Sequence, residues 1–188
     1  MGMLLTVRLM TTISTRRLVL RPLRPTDVRP LAVLANDPGV ARMTSRMPFP
    51  YGLGDATAYL ASVTADREGF VAAITEADRF MGCVGLHPRG QGGTMAIAEL
   101  GYWLGRPFWG QGYAPEAAAA VVEHAFAELG VDEIECGHFA DNSRSARVIA
   151  RLGFQPDGRK PIYSVARGAQ VECAMFRLTR AGYEATER

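Results

Sequence analysis

The stretch Glu99 to Glu116, ELGYWLGRPFWGQGYAPE, changes from a strand pattern to a helix pattern within a few residues. Its beginning belongs to an apolar run of strand length. Gly110 and Gly112 follow in a short loop, and their missing side chains allow tight turns and let a ligand approach the backbone closely. Pro115 and the alanines after it favour a helix, which we expect to begin at about Ala114.

The start of this helix predicts an anion site. The first N–H groups of a helix have no partner within it, and the helix dipole adds about half a positive charge there. Two common nucleotide motifs do not fit, because the P-loop needs Lys and then Ser or Thr after its second glycine, and the dinucleotide motif needs glycine at position 115. No such pair follows Gly112, and Pro115 occupies the required glycine position.

The glycine turn instead resembles the acyl-CoA loop of the GCN5-related N-acetyltransferase (GNAT) superfamily, Q/R-x-x-G-x-G/A. The six positions of this motif are Trp109, Gly110, Gln111, Gly112, Tyr113 and Ala114. Trp109 replaces the usual Gln or Arg, and the form GYW…PFWGQGYA is similar to the RimJ/RimL-like branch. The resemblance implies that the backbone N–H groups from Gln111 to Ala114 bind the diphosphate of coenzyme A. A glycine turn that only joins a strand to a helix is the alternative.

A second motif, N-x-x-S-x-x-V-x-x-x-x-G-F, is formed by Asn142, Ser145, Val148, Gly153 and Phe154. It resembles the helix that follows the fifth strand in the RimJ/RimL-like branch. The resemblance implies that Asn142 steadies the pantetheine arm and that Ser145 donates a hydrogen bond to the leaving thiolate. Many GNAT enzymes use a tyrosine at the position of Ile149 for this purpose, and Tyr163 is a second candidate here. Helix capping and an ordinary helix hydroxyl are the alternatives.

The alternation of strand and helix patterns, with hairpins at both ends, predicts an α/β protein of the α+β kind, with helices on both faces of a mixed sheet. The resemblance implies the GNAT fold, in which the sheet is mostly antiparallel and has six to seven strands. Its fourth and fifth strands, here Glu99 to Leu104 and Ile134 to Phe139, are parallel and splay apart. The thioester carbonyl of the implied cosubstrate, acetyl-CoA, then lies near the N–H groups of Leu100 to Tyr102. A donor aimed at the developing oxyanion is worth ~3 kcal/mol there.

The attacking amine must be neutral. At pH 7 this costs about 4 to 5 kcal/mol for a lysine-like amine of pKa ~10.4, but only about 1 kcal/mol for an α-amino group near ~8. A carboxylate that acts through water can accept the proton. Glu99 occupies an acid position seen in the family and is the predicted base, with His138 on the facing strand as the alternative. The alternatives are that Glu99 forms only an ion pair and that His138 only packs in the core.

We therefore expect an enzyme that moves an acetyl group directly from the thioester to an amine. The acceptor is expected to be a protein N-terminus, as in the RimJ/RimL-like branch, or a small amine, amino acid or antibiotic. A non-catalytic module that binds acyl-CoA is the competing class.

Composition limits the remaining possibilities. A net charge of +2 over 188 residues gives no basic excess for nucleic acid, and no apolar run reaches the ~18 residues of a membrane helix. We expect a cytoplasmic monomer or homodimer. The three cysteines are far apart, with no CxxC or Cys/His cluster, so neither a disulfide nor a metal site is predicted. Residues 1 to 14 are expected to be a loosely ordered extension, followed by a single GNAT domain over residues 15 to 182.

Overall fold

A computed structural model describes residues 11–65, 69–89 and 96–186. Its strands form one sheet of eight in the order β1-β2-β3-β4-β5-β6-β8-β7. They are β1 Ile13–Ser14, β2 Val19–Arg21, β3 Phe70–Glu76, β4 Arg79–Pro88, β5 Ile97–Leu104, β6 Glu133–Phe139, β7 Gln155–Ser164 and β8 Ala169–Thr179. Neighbouring strands of this sheet run antiparallel, except that β5 and β6 run parallel. The predicted mixed, mostly antiparallel sheet is confirmed.

The α-helices of the described residues connect these strands. They are α1 Val28–Ala35, α2 Pro38–Ala41, α3 Leu53–Thr64, α4 Tyr113–Ala127, α5 Ser143–Arg151 and α6 Arg180–Thr186. Helix α4 begins at the residue after Gly112, close to the predicted start, and Pro115 lies in its first turn. None of the described helices combines the length and apolar character needed to cross a membrane.

The centre of the sheet is buried on both faces. Phe70, Ala72 and Ile74 of β3 pack in a core that includes α4, whereas Val71 and Ala73 pack in a second core that includes α1 and α3. Successive residues of a strand point to opposite faces, so a strand covered on both faces is apolar throughout. The helices therefore cover both faces of the sheet, as predicted.

The first strand begins earlier than expected. Ile13–Ser14 pairs with β2 and so belongs to the sheet, although it falls in the extension expected over residues 1 to 14. The turn between the two strands is closed by Thr15, whose Oγ1 accepts a hydrogen bond from the backbone N–H of Leu18 at 2.9 Å. With this two-residue strand the sheet has eight strands in the described residues, whereas six to seven were expected. Residues 1–10, the rest of the expected extension, lie outside the described residues.

The C-terminal end also differs from the expected boundary at residue 182. Helix α6 continues to Thr186, and the ring of Tyr183 contacts that of Phe126 on α4 with a centroid distance of 5.2 Å. Because this contact is on the core side of α4, the last helix is part of the domain.

We expect the buried ion pair between β2 and the turn before α1 to contribute strongly to stability. Arg21 donates to both carboxylate oxygens of Asp27, at 2.7 and 2.9 Å, and each side chain is only 5% exposed. Asp27→Asn leaves the guanidinium charge buried beside a neutral partner, so the free energy of unfolding should fall by about 3 kcal/mol. Urea denaturation followed by circular dichroism measures this change.

Asp78→Asn is the matched control. Asp78 pairs with the same guanidinium at 3.1 Å but its side chain is 71% exposed, so its loss should cost less than about 1 kcal/mol. Equal destabilisation by the two variants would contradict the importance of the buried pair.

Candidate active site

Strands β5 and β6 are joined only at their beginnings. The paired residues of the described ladder are Ile97 with Glu133, Ala98 with Ile134, and Glu99 with Glu135. Beyond Glu99, β5 stays paired with β4 as far as Leu104, and β6 stays paired with β8 as far as Phe139. The two strands therefore diverge into a wedge, and their inner edges carry backbone groups available to a ligand. The predicted splayed parallel strands are confirmed.

A cavity of about 1270 Å³ occupies this wedge. Met47 and Tyr51 line it on the side of α1 and α3, and Gly110, Gly112 and Ser145 line it on the side of α4 and α5. A pocket for one drug-sized ligand measures roughly 300 to 1,000 Å³. The wedge therefore has room for a long ligand and for part of a second reactant.

The loop before α4 presents open backbone donors to the cavity. Gly110 and Gly112 have φ angles of 76° and 79°, in the left-handed region that side chains rarely adopt. Gly112 is the N-cap of α4 and has no side chain to accept a hydrogen bond from the first turn. Tyr113 and Ala114 follow it along the cavity wall. Their N–H groups lie at the positive end of the helix dipole, which is a suitable place for a phosphate.

The side chains of two other loop residues form hydrogen bonds within the protein. The indole Nε1 of Trp109 donates to the backbone oxygen of Leu104 at 2.7 Å, which ties the loop to the end of β5. The amide Nε2 of Gln111 donates to the backbone oxygen of Pro107 at 2.9 Å. The Gln111 side chain is therefore bound within the loop, and Trp109 positions the loop against β5.

Residues near the N-terminus hold the same loop. Glu116 in the first turn of α4 accepts hydrogen bonds from Thr15 Oγ1 at 2.7 Å, Arg17 N at 2.9 Å and Arg17 Nε at 2.7 Å. Arg17 Nη1 also donates to the backbone oxygen of Gln111 at 2.9 Å. Burial alone would raise the pKa of Glu116, but the hydrogen bonds from Thr15 and Arg17 outweigh it and lower the pKa. Sequence reasoning missed this clamp, because nothing local relates residue 17 to residue 116.

Tyr102 and Ser145 meet across the wedge. The phenol oxygen of Tyr102 on β5 lies 2.8 Å from Oγ of Ser145 on α5. Asn142 caps α5, with its Oδ1 accepting from the N–H of Ser145 at 3.2 Å, so the capping alternative describes one of its roles. All three residues line the cavity. Sequence reasoning considered only the backbone of Tyr102 and missed its phenol.

The position of the usual GNAT tyrosine lies outside this group. Ile149 has no exposed surface, packs in the α4 core and is not among the described residues that line the cavity. Tyr163 on β7 does line the cavity, with 51% of its surface exposed. Both hydroxyl candidates from the sequence, Ser145 and Tyr163, therefore line the cavity, and Tyr102 lines it beside Ser145.

Glu99 and His138 lie on opposite faces of the sheet. Glu99 alternates with Ala98 and Leu100, which point into the α4 core, so its carboxylate faces the side of α1 and α3. It lines the cavity and forms an ion pair with Arg89. His138 instead stacks on Phe176, with ring centroids 5.5 Å apart, and Phe176 packs against the α4 core.

The imidazole of His138 has a defined tautomer. Its Nδ1 lies 2.9 Å from the backbone oxygen of Phe139. A carbonyl oxygen only accepts hydrogen bonds, so Nδ1 carries the hydrogen and Nε2 is the acceptor of the neutral ring. The Nε2 of His138 thus accepts on the side of α5, whereas the carboxylate of Glu99 faces the side of α1 and α3.

The hairpin of β7 and β8 closes one side of the wedge. Arg167 Nε donates to the backbone oxygen of Arg42 at 2.8 Å, and Nη1 and Nη2 each lie 2.9 Å from the carboxylate of Asp141. These contacts lower the pKa of Asp141. The N–H of Val165 also donates to the backbone oxygen of Ser45 at 2.9 Å. Arg167 therefore fastens the segment after α2 to the start of α5.

The cysteines do not form a nucleophilic site. Cys83, Cys136 and Cys173 are all buried with free thiols, and burial raises the pKa of each. A thiol held in its neutral form is a poor nucleophile. Among residues 11–65, 69–89 and 96–186, no cluster of His, Cys, Asp and Glu has the composition of a metal site.

Comparisons with known proteins agree with this geometry. Residues 17–155 match the Acetyltransferase (GNAT) domain family. The N-acetyltransferase p20 of Bacillus licheniformis, itself uncharacterized, is 29% identical over 93% of this chain and 99% of its own length. The [ribosomal protein uS5]-alanine N-acetyltransferase of Escherichia coli is 28% identical over 46% of this chain and 45% of its own length.

A solved structure shows the same fold. Mycobacterium smegmatis RimJ in complex with CoA-disulfide superposes with a TM-score of 0.79 over 95% of this chain and 96% of its own, at 21% identity. Fold, wedge and family match together define the class of protein. The chain belongs to the GNAT acetyltransferase family, and it is an N-acetyltransferase. The RimJ and uS5-alanine enzymes among its neighbours agree with the predicted RimJ/RimL-like branch.

We expect Glu116→Ala to loosen the glycine loop and lower stability. Glu116 is mostly buried, with 17% of its side chain exposed, and hydrogen bonds to a charged group contribute about 1.5 to 3 kcal/mol. The free energy of unfolding at pH 7 should fall by about 2 kcal/mol. Amide exchange at residues 109–114 should become faster. Glu123→Ala, at an exposed position of the same helix, should change stability by less than about 0.5 kcal/mol.

The same variant has a predicted pH dependence. The pKa of Glu116 is lowered by folding, so its contribution is present above the unfolded pKa of ~4.3 and is lost as the pH falls through the lower folded value. The stability difference between wild type and Glu116→Ala should therefore shrink in acid. A difference that stays constant from pH 7 to pH 3 would contradict the clamp.

Proposed function

We propose that this N-acetyltransferase binds acetyl-CoA in the wedge between β5 and β6 and transfers the acetyl group directly to an α-amino group of a protein or peptide. The observation that carries the proposal is the continuous cavity. It joins the open helix start at Gly112 to the face of the sheet on which Glu99 lies. One ligand can thus be held by its phosphates on one side while its reactive end is offered to an acceptor on the other.

The binding part of the proposal rests on backbone groups. The N–H groups of Gln111, Gly112, Tyr113 and Ala114 would hold the diphosphate, because an uncapped helix start favours an anion. The pantetheine arm is an amide chain, and the inner edges of β5 and β6 offer it the N–H and C=O groups that an added strand would use. Asn142 and Ser145 line this part of the cavity. When bound, the cosubstrate supplies an activated acetyl group.

The catalytic part assigns the remaining groups. The N–H groups of Leu100 and Tyr102 lie on the free edge of β5 and would stabilise the oxyanion, whereas that of Gly101 points toward β4. Glu99 would accept the proton of the attacking amine, directly or through water. His138 is less suitable because it lies on the other face of the sheet. Direct transfer fits the chain, since its three thiols are buried and held neutral.

Proton chemistry supports an α-amino group as the acceptor. Glu99 is already ion-paired with Arg89, so part of its hydrogen-bonding capacity is taken. An α-amino group near pKa ~8 needs little help to become neutral, whereas a lysine side chain near ~10.4 needs much more. The Escherichia coli relative is named for acetylating an alanine of ribosomal protein uS5, which is the same class of acceptor.

A thiol-release assay with acetyl-CoA tests the acceptor class. The panel pairs peptides with a free N-terminus and no lysine against Nα-acetylated peptides with one lysine, together with small amines and amino acids. We expect free N-termini to react more than about tenfold faster than lysine side chains at pH 7. Equal or faster reaction of lysine peptides, or of small amines alone, would reject a protein N-terminus as the acceptor.

Two variants test the base. Glu99→Gln should lower kcat at pH 7 by about a hundredfold or more, with the affinity for CoA in calorimetry unchanged, because the carboxylate is not needed to bind the cosubstrate. His138→Gln should have a much smaller effect on kcat. The opposite ranking would assign the base to His138.

A further inference from the structure

The hydroxyl of Ser145 has an unusual partner. A serine inside a helix commonly donates to a backbone oxygen one turn earlier. In the part of the chain that the structure describes, Ser145 Oγ instead lies 2.8 Å from the phenol oxygen of Tyr102. The two residues come from different elements, and both line the wedge. Their contact therefore restrains both hydroxyl groups.

Acidity favours one direction for this hydrogen bond. Either oxygen can act as donor, but a phenol, with a pKa of ~10, is far more acidic than an aliphatic alcohol and is the better donor. When the phenol donates to Oγ, the hydrogen of Ser145 is not used by Tyr102. It is then free to point into the cavity.

We propose that Tyr102 is a positioning residue for the leaving thiolate. Its phenol donates to Ser145 Oγ and thereby directs the Ser145 hydrogen toward the sulfur of the cosubstrate. This inference rests on the proposed binding of acetyl-CoA in the wedge. It also explains how the chain functions with Ile149 buried at the position of the usual tyrosine. A pair of hydroxyls, one from β5 and one from α5, replaces a single phenol.

Transfer of the acetyl group to the amine does not require Tyr102 to lose its proton. The amine nitrogen forms a bond to the acetyl carbon, and the carbon–sulfur bond breaks with its electron pair on sulfur. The thiolate accepts the hydrogen bond of Ser145, and the proton lost by the amine passes through Glu99 to water. A proton from water then converts the thiolate to free CoA. Burial raises the pKa of Tyr102, so the phenol stays neutral throughout.

Several charged or titratable groups lie near Tyr102 and Ser145. Cys136 and His138 face it from β6, and Arg144 lies on α5 beside Ser145, with its guanidinium 4.7 Å from the ring of Trp109. Glu99 is on the opposite face. Burial raises the pKa of the Cys136 thiol, which separates its titration from that of the bound CoA thiol. A complex with S-methyl-CoA, which lacks the thiol, reports the titration of the remaining groups.

The test measures the pKa of the CoA thiol in its complex with the protein. Thiolate absorbance in the ultraviolet is followed against pH, and the S-methyl-CoA complex is subtracted. A hydrogen bond to the thiolate lowers its pKa, so in wild type the bound thiol should titrate about one unit below free CoA. Tyr102→Phe should remove at least about half of this shift, and Ser145→Ala should remove all of it.

The double variant separates a relay from a direct contact. Because Tyr102 acts through Ser145, adding Tyr102→Phe to Ser145→Ala should cause no further change in the pKa of the bound thiol. Ser145→Thr keeps a hydroxyl and should restore part of the shift. Steady-state kinetics should show a lower kcat for Tyr102→Phe, with the KM for acetyl-CoA within about twofold of wild type.

Three results would overturn the proposal. They are an unchanged thiol pKa in Tyr102→Phe, a further rise when Tyr102→Phe is added to Ser145→Ala, and loss of the shift in Tyr163→Phe instead. Calorimetry with CoA is run on every variant, and circular dichroism confirms the fold. If wild type does not bind CoA, the proposed function fails. If it binds CoA with the thiol pKa at its free value, only the role of Tyr102 and Ser145 fails.

Discussion

The architecture depends on where the parallel ladder between β5 and β6 stops. Three residue pairs join these strands, and beyond Glu99 each strand is held only by its outer neighbour. A sheet this deeply buried normally pairs its backbone groups, because an unpaired N–H or C=O away from water is costly. The open edges are tolerated because they line a cavity, and the same groups become available to an extended amide ligand.

The surrounding contacts keep this opening in shape. On the side of α4, Glu116 and Arg17 fix the loop whose glycines start the helix. On the opposite side, Arg167 joins the segment after α2 to Asp141. These contacts use charge-assisted hydrogen bonds, which are stronger than neutral ones and more directional than apolar packing. The contacts at the edge of the wedge, those of Glu116 and Arg167, thus hold it open before a ligand binds.

The sequence predicted the local features and the family, but not the contacts between distant segments. The glycine turn, the helix start and the cap at Asn142 are encoded within a few residues and could be read directly. The hydrogen bond between Tyr102 and Ser145 joins residues 43 positions apart in the sequence, and that between Thr15 and Glu116 joins residues 101 positions apart. Only the folded sheet brings these residues together. The face of each strand residue also depends on register, so the sequence alone did not show that Glu99 and His138 lie on opposite faces of the sheet.

The central claim is that CoA binds along the open edges of the wedge. Amide hydrogen exchange with and without CoA tests it most directly, because the ligand should cover backbone groups that have no partner in the free protein. We predict slower exchange at residues 100, 102 and 104 and at residues 110–114, and no change in α6, which packs against Phe126 near the C-terminal end of α4. Binding of CoA, shown by calorimetry in the same sample, without protection of either segment would contradict the account.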